Sequence, residues 1–439
     1  MTITTIRRAP MGKRAASKAM TTVALAAGLT MTGALATSAS AQTLPDPEAS
    51  AAFYLQQQLE AGGSHFSLET DFGTSVDYGV TADAVLALAA AGTGQAEAER
   101  ATDYLAANVV NYIGFGDPNE IYAGSVAKLV NVALVQGRDP GDFGGVDLLG
   151  TLQSLETETG RFSDDSQWGD FSNTFGQSLA LIGLDRAGVD PSPASIAFLG
   201  EQQCPGGGFQ LYLDDTPCTD AANSDPDATA LAVQALIAVG GPADSIEAGL
   251  DFLASAQGAD GGIGGGAPQT APNANSTGLA GQAFVAGGRT AEADLASAYI
   301  SGLQYGCTFP EALRGGIAYD PAAYAIQEAA GAEATPIDQD RRSTTQALLA
   351  LAGTPLFAVT ADGAADTASA PTCESGSTPT VTETPTAEPT ATTIVTGPVV
   401  ETDLPQRSSL PVSQLALAGL LVLAGGGAAA ATARRGAHR

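Results

Sequence analysis

Residues 46–358 are built from two kinds of segment that alternate six times, and this repetition constrains the fold more than any other feature of the chain. The first kind closes on Gln or another polar residue before a Gly-rich turn: 51–59, 97–109, 146–155, 195–203, 245–257 and 292–304. The second opens on Ser, Thr or Asp and ends at glycine: 81–92, 125–137, 174–188, 229–240, 277–288 and 343–353. In 81–92, Val85, Leu86, Leu88 and Ala89 recur at helical spacing, with alanines between them; Leu231, Val233, Leu236 and Ile237 repeat this in 229–240. The closing glycines suit the left-handed turn at a helix C-terminus. So many alanines imply close helix-to-helix approach. Gln177, Gln234, Gln282 and Gln346 are read as equivalent positions in four of these segments. The pattern predicts six helix pairs, stacked as an open superhelix or closed into a ring. Periodicity does not choose between the two.

Both ends read differently from this body. Residues 1–41 run from a basic stretch (Arg7, Arg8, Lys13, Arg14, Lys18) through an apolar segment to Ala39-Ser40-Ala41, the order of an export signal cut by signal peptidase before Gln42. Residues 361–409 are rich in Thr, Pro and Glu with few large apolar side chains, which predicts a disordered stalk. Residues 410–433 carry no charge and precede Arg434, Arg435 and Arg439. That predicts a transmembrane helix with a basic cytoplasmic tail, 434–439, and places the body on the extracellular face of the cell membrane. The tail resembles those of sortase substrates in Gram-positive bacteria, but Leu404-Pro405-Gln406-Arg407-Ser408 lacks the rest of the Leu-Pro-x-Thr-Gly signal, so sortase is not an expected partner. The formal net charge is −29, and eight of the 18 basic residues sit at the two ends. So acidic a body excludes nucleic acid as a partner.

Asp260-Gly261-Gly262-Ile263-Gly264, preceded by Phe252-Leu253-Ala254-Ser255-Ala256-Gln257, resembles the repeat of the prenyltransferase and squalene-cyclase superfamily. Phe198 to Gln203 followed by Pro205-Gly206-Gly207-Gly208-Phe209 is a second copy, and Leu303-Gln304 with Gly315-Gly316-Ile317 a degraded third. The resemblance implies an all-α fold, an (α/α)6 toroid over 42–360, with a cavity at one mouth. It extends to the transcobalamin-like carriers, in what resembles an actinobacterial-type surface protein.

The family's chemistry is then tested residue by residue. Zinc prenyltransferase activity requires Asp, Cys and His ligands; the body holds one histidine, His65, with no cysteine near it, so no zinc site is expected. The Asp-x-Asp-Asp motif of class II terpene cyclases is absent; Asp164-Asp165, Asp214-Asp215 and Asp225-Pro226-Asp227 are the nearest stretches. Asp227 is read first as a helix cap and second as an acid. The Cys-Gly-Glu-Gln stretch of complement-type thioester domains is absent, and hydrolytic triads lack a histidine in place. The four cysteines allow three pairings; the local one, Cys204 with Cys218, leaves Cys307 for Cys373.

Two binding expectations remain. One is a ligand mouth formed by Trp168, Phe171, Phe175, Phe209, Tyr212, Tyr319 and Tyr324. The other is the cluster Asp214, Asp215, Asp220, Asn223, Asp225 and Asp227, read first as a solvated acidic loop and second as a calcium site. Together these predict non-catalytic binding at the cell surface of a small apolar or corrin-like molecule such as a cobalamin, or of a surface protein. The alternatives are an extracellular cyclase or transferase-like enzyme using an aspartic acid around 164–170 or 225–227, and a structural surface protein.

Overall fold

Aspartate, asparagine and serine decide where most of the helices start. The computed structural model describes residues 44–373 apart from 71 and 72. In chain order it contains α1 (Pro47–Gly62), the hairpin β1 (Phe66–Thr70) and β2 (Gly73–Asp77), α2 (Tyr78–Ala90), α3 (Gln95–Ala107), α4 (Val109–Gly114), α5 (Ala123–Val135), α6 (Leu148–Ser154), α7 (Thr174–Arg186) and α8 (Pro193–Glu201). The short strands β3 (Phe209–Gln210) and β4 (Ser224–Asp225) follow, then α9 (Pro226–Ala238) and α10 (Ala243–Ala256). Next come β5 (Ile263–Gly264), β6 (Pro272–Asn273), α11 (Ala274–Ala286), α12 (Thr290–Gly302), α13 (Pro321–Ala330) and α14 (Asp338–Leu351). Asp77, Asn173, Asp225 and Asn273 each accept a first-turn backbone N–H of the helix that follows. Each strand pair is an antiparallel ladder at the entry to an inner helix.

The inner helices α2, α5, α7, α9, α11 and α14 pack each against the next, and α14 packs back on α2. The circle is closed, which settles the choice that periodicity left open. Helices α3, α6, α8, α10 and α12 pack outside α2, α5, α7, α9 and α11, while α1 covers the seam between α14 and α2. Inner helices are covered nearly all round: every residue of α2 from Gly79 to Ala89 is buried, the polar Thr81 and Asp83 included. In the outer α10 only Gly249, Leu250 and Leu253 are buried, one stripe facing inward.

A polar clamp explains why the repeat carries Gln, Gly and Thr. At the end of an outer helix the Gln amide donates both to its own glycine turn and to the start of the next outer helix. Gln203 Nε2 reaches Gly207 O and Ser245 O, each at 2.8 Å. Gln257 Nε2 reaches Gly261 O at 3.1 Å and Glu292 O at 2.9 Å. Gln304 Nε2 reaches Gly315 O at 3.0 Å and Pro47 O at 2.8 Å, tying the last outer helix to the first. The turn needs glycine: Gly261 has φ +90°, and a Cβ there would sit 2.1 Å from Leu295 O. The turn is then hung on the inner helix by a threonine, as where Ile263 N donates to Thr277 Oγ1 at 2.9 Å and Phe209 N to Thr229 Oγ1 at 2.8 Å. Gln177 takes this threonine's place in α7, accepting from Phe162 N at 3.0 Å. It is therefore not equivalent to Gln234, Gln282 and Gln346, which lie a further turn and more along their helices.

The expected transmembrane anchor is corrected. No helix among the described residues is long and apolar enough to cross a membrane. The longest, α1, has 16 residues, or roughly 24 Å at about 1.5 Å per residue, short of a ~30 Å hydrocarbon layer. The segment 410–433 that carried that expectation, the signal segment 1–41 and the tail 434–439 lie outside the described residues. The single-pass localisation and the membrane as a partner are withdrawn with the anchor. The packed body also runs past residue 360: Ala361 N donates to Val135 O, Ala365 N to Gly92 O, and Ala368 N to Gln56 Oε1 at 2.7 Å. The bond between Cys307 and Cys373 fastens this last stretch.

Candidate functional site

Asp225-Pro226-Asp227 starts α9 with two carboxylates in different roles. Asp225 is extended, at φ −122°, and its Oδ1 accepts the Ala228 N–H at 2.9 Å. Pro226, with no N–H to satisfy, is suited to the first helical position. Asp227 comes next, in the first turn, and its Oδ1 has no hydrogen-bond partner. The capping role expected of Asp227 thus belongs to Asp225, which leaves Asp227 available for chemistry.

Asp227 lines a cavity of about 550 Å3 at the N-terminal ends of α9 and α11. One wall is 210–214, the chain that leaves β3 inside the loop closed by Cys204 and Cys218. The others are Asn223 and Ser224 before α9, the 266–269 loop, the first turns of α11, Tyr319, and Gln346 from α14. The 264–266 glycines bring backbone against both acids. A Cβ at Gly265 would lie 2.9 Å from Asp227 Oδ2, and one at Gly266 would lie 2.0 Å from Asp225 Oδ2.

Asp227 is half-buried, and its Oδ1 is closed to solvent. Burial pushes its carboxyl up to about 7; the Asp225 carboxylate adds to this, and the Ser276 hydroxyl opposes it. Asp225 is also raised by burial, against the Ala228 N–H it accepts. Tyr319 is pushed up to about 12 by burial and by the carboxylates of Asp227 and Asp320. A neutral carboxylic acid is therefore available at this mouth near pH 7, with no Lys, Arg or His among the lining residues.

The structure gathers some of the residues singled out in the sequence and disperses others. Tyr212 and Tyr319 line the cavity, as do Asp214, Asn223, Asp225 and Asp227. Phe175 and Phe209 are buried in the core. Trp168 is 62 % exposed and Phe171 half-buried, both in the loop before α7. Tyr324 packs on Tyr305 and Phe309. Asp215 faces Arg161 at 3.4 Å and Asp220 accepts from Ala222 N at 2.9 Å, so both are engaged away from the cavity. Among the described residues no group of three or more Asp, Glu, His or Cys is arranged to hold a metal ion. His65 stacks on Tyr104 at 4.2 Å.

The other acidic stretch, 164–170, holds a carboxyl of a different kind. Asp164 is raised to about 6 by burial, opposed by the N–H groups of Ala123 and Phe171. Those groups donate to its Oδ1 at 2.8 Å and its Oδ2 at 2.9 Å, so both oxygens serve to fix the backbone. Sequence reasoning passed over Asn275, Ser276 and Gln346 as site residues. The three glycines after Asp260-Gly261-Gly262 were the available signal, since so bare a loop implies something packed closely against it.

No protein-family model and no curated protein matches the chain. Solved structures offer distant likenesses. A protein from Actinoplanes is 18% identical over 70% of this chain and 99% of its own, with a TM-score of 0.48. The type II terpene cyclase MstE from Scytonema, in complex with geranylgeranyl dihydroxybenzoate, is 13% identical over 70% and 95%, with a TM-score of 0.49. Candida albicans protein geranylgeranyltransferase-I, complexed with GGPP, is 12% identical over 72% and 96%, with a TM-score of 0.47. Likeness at this level carries no function across.

Proposed function

We propose that the cavity at the start of α9 is the functional site, and that the protein binds a small molecule there and donates a proton to it from Asp227. The observation that carries this reading is the carboxyl of Asp227, raised to about 7 and with one oxygen unpartnered. A group poised near the working pH is the one best suited to general acid catalysis. Asp164 is a poorer choice because both of its oxygens are occupied. The cavity volume suits a ligand of ordinary cofactor or metabolite size. Its amide, hydroxyl and carboxyl walls favour a ligand with hydrogen-bonding groups over a purely apolar one.

The test uses the full chain and its Asp227→Asn variant, each incubated with small-molecule extract of the source cells and followed by native mass spectrometry and metabolite profiling. The wild type is expected to take up a discrete mass and convert it, and the variant to take up the same mass without conversion. Equal retention by both without conversion would overturn the acid role. Uptake by neither would overturn the site.

A further inference from the structure

The exposed aromatic side chains of the described residues gather on one sector of the helix circle. Phe115 is 58 % exposed, Trp168 62 % and Tyr212 73 %; every other Phe and Tyr described is half-buried or buried. Each of the three lies in a loop that leads toward an inner helix: 115–122 before α5, 155–173 before α7 and 211–223 before α9. Backbone hydrogen bonds join these loops side by side. Ile121 and Asp165 each donate N–H to the other's carbonyl at 2.9 Å, and Thr174 N donates to Leu211 O at 2.9 Å. Phe115 ends α4 at φ +52°, the left-handed position that glycine ordinarily fills, so this ring is kept at the surface against the preference of its own backbone. A single exposed ring needs no explanation, but three on adjoining loops mark a contact surface.

The same loops are acidic. They hold two, five and three Asp or Glu residues in turn, against Arg161 as the only basic residue. Arg161 is spent within the rim, on Asp170 at 2.8 Å and Asp215 at 3.4 Å. Thr216 donates to Asp214 through its N–H and its hydroxyl, and so holds that carboxyl below its ordinary value. We propose that this rim docks an extended basic peptide segment of another protein, its Arg and Lys side chains lying over the three rings. A cation over an aromatic face gains from the ring and from neighbouring carboxylates alike, so one class of partner uses both features of the rim. Neighbouring inner helices packed at about 8–10 Å set three successive helix starts across roughly 16–20 Å. That is the reach of about five or six extended residues. A second copy of this chain would bring the same carboxylates against these, and an anionic lipid surface is repelled in the same way. The proposal goes beyond the reading of Asp227 as an acid and does not depend on it. The two sites adjoin at Tyr212 and Asp214, which also line the cavity.

Trp168 is the one tryptophan of the chain, so its fluorescence reports on the rim alone. The test is a fluorescence titration of the full chain with an octapeptide alternating Arg and Ser. The same peptide with Glu for Arg, and cellohexaose as a neutral glycan, serve as opposing probes. The Arg peptide is expected to bind saturably, and more weakly as salt rises. Phe115→Gly suits the left-handed backbone and should bind that peptide about two- to fivefold more weakly, the size of one exposed cation–π contact. Tyr212→Ser should do the same, and decides the matter if circular dichroism shows that Phe115→Gly does not fold. Failure of the Arg peptide to bind, equal binding of the Glu peptide, preference for cellohexaose, or binding that both substitutions leave unchanged would overturn the proposal. So would loss of peptide binding in Asp227→Asn, which would place the peptide in the cavity. Peptide binding that survives in Asp227→Asn supports the rim whether or not Asp227 acts as an acid.

Discussion

Two sides of the same ring treat buried carboxylates in opposite ways. Between α2, α5 and α14 the acids are matched: Asp83 accepts from Lys128 Nζ at 2.7 Å, and Asp77, the cap of α2, is paired with Arg342. Burial would lower the Lys128 ammonium, but Asp83, with Tyr112 and Asp77 adding, holds it above its usual value. Between α9, α11 and α14, Asp225 caps its helix as Asp77 does, yet Asp227 has no basic neighbour lining the cavity. The matched side closes the circle where the first inner helix meets the last. The unmatched side opens into the cavity. On the proposed reading, ion pairs serve assembly on one side and an unpaired carboxyl serves chemistry on the other, and each assignment is open to test.

The largest effect is expected on the matched side. Lys128→Met leaves Asp83 buried without its cation, and breaking such a pair costs about 3–5 kcal/mol. Denaturant unfolding should show a loss of that size, largely recovered in the Lys128→Met, Asp83→Leu double variant. A loss below about 1 kcal/mol would remove the pair from the account of how α2 is held to α5. Next comes Gly261→Ala, which meets both a left-handed backbone and the Leu295 carbonyl. It should cost about 2 kcal/mol or more by the same measurement, without altering ligand uptake selectively.

Asp227→Asn should behave in the opposite sense. Its carboxyl is held at about 7 in the fold, against about 3.9 unfolded. The native state therefore binds more protons between pH 4 and pH 7. Relative to the unfolded chain, stability from this group is fully present below about pH 4 and is lost as pH rises through 7. The Asn variant does not titrate, so its melting temperature should exceed the wild type's by a few degrees at pH 8, with the difference vanishing near pH 4. A pH-independent difference would return Asp227 to the role of an ordinary surface acid.

The smallest effect concerns the brace on the cavity wall. The bond between Cys204 and Cys218 closes a 14-residue separation, worth up to about 3 kcal/mol in the chain-entropy picture and commonly less. The Cys204→Ser, Cys218→Ser double variant should weaken ligand uptake more than it lowers the global melting temperature, since 210–214 lies inside that loop. Equal losses in both would mean the bond serves the fold as a whole.

The helix pairs were legible in the sequence because their determinants are local and recur; closure of the ring, which depends on α14 meeting α2, was not. Helical spacing, a closing glycine, the Gln before three of the turns and the Thr opening most inner segments all lie within one repeat. The identity of the free acid was not, because it depends on long-range neighbours. Asp225 and Asp227 differ by two positions, and either can cap a helix from sequence alone. Only the 264–266 loop and Ser276, folded against them, separate the two roles. Gln346 stayed hidden for the same reason: it looks like Gln234 and Gln282 until their partners are placed. The aromatic mouth was read too broadly, since rings such as Phe209 and Phe175 fill the core as readily as they line an opening.

The most direct test of the account is a 13C-carboxyl NMR titration of the full chain labelled at aspartate, with Asp227→Asn identifying the resonance. The account predicts one aspartate carboxyl that titrates near pH 7 and disappears in the variant. A resonance for Asp227 with its midpoint below pH 5 would contradict it.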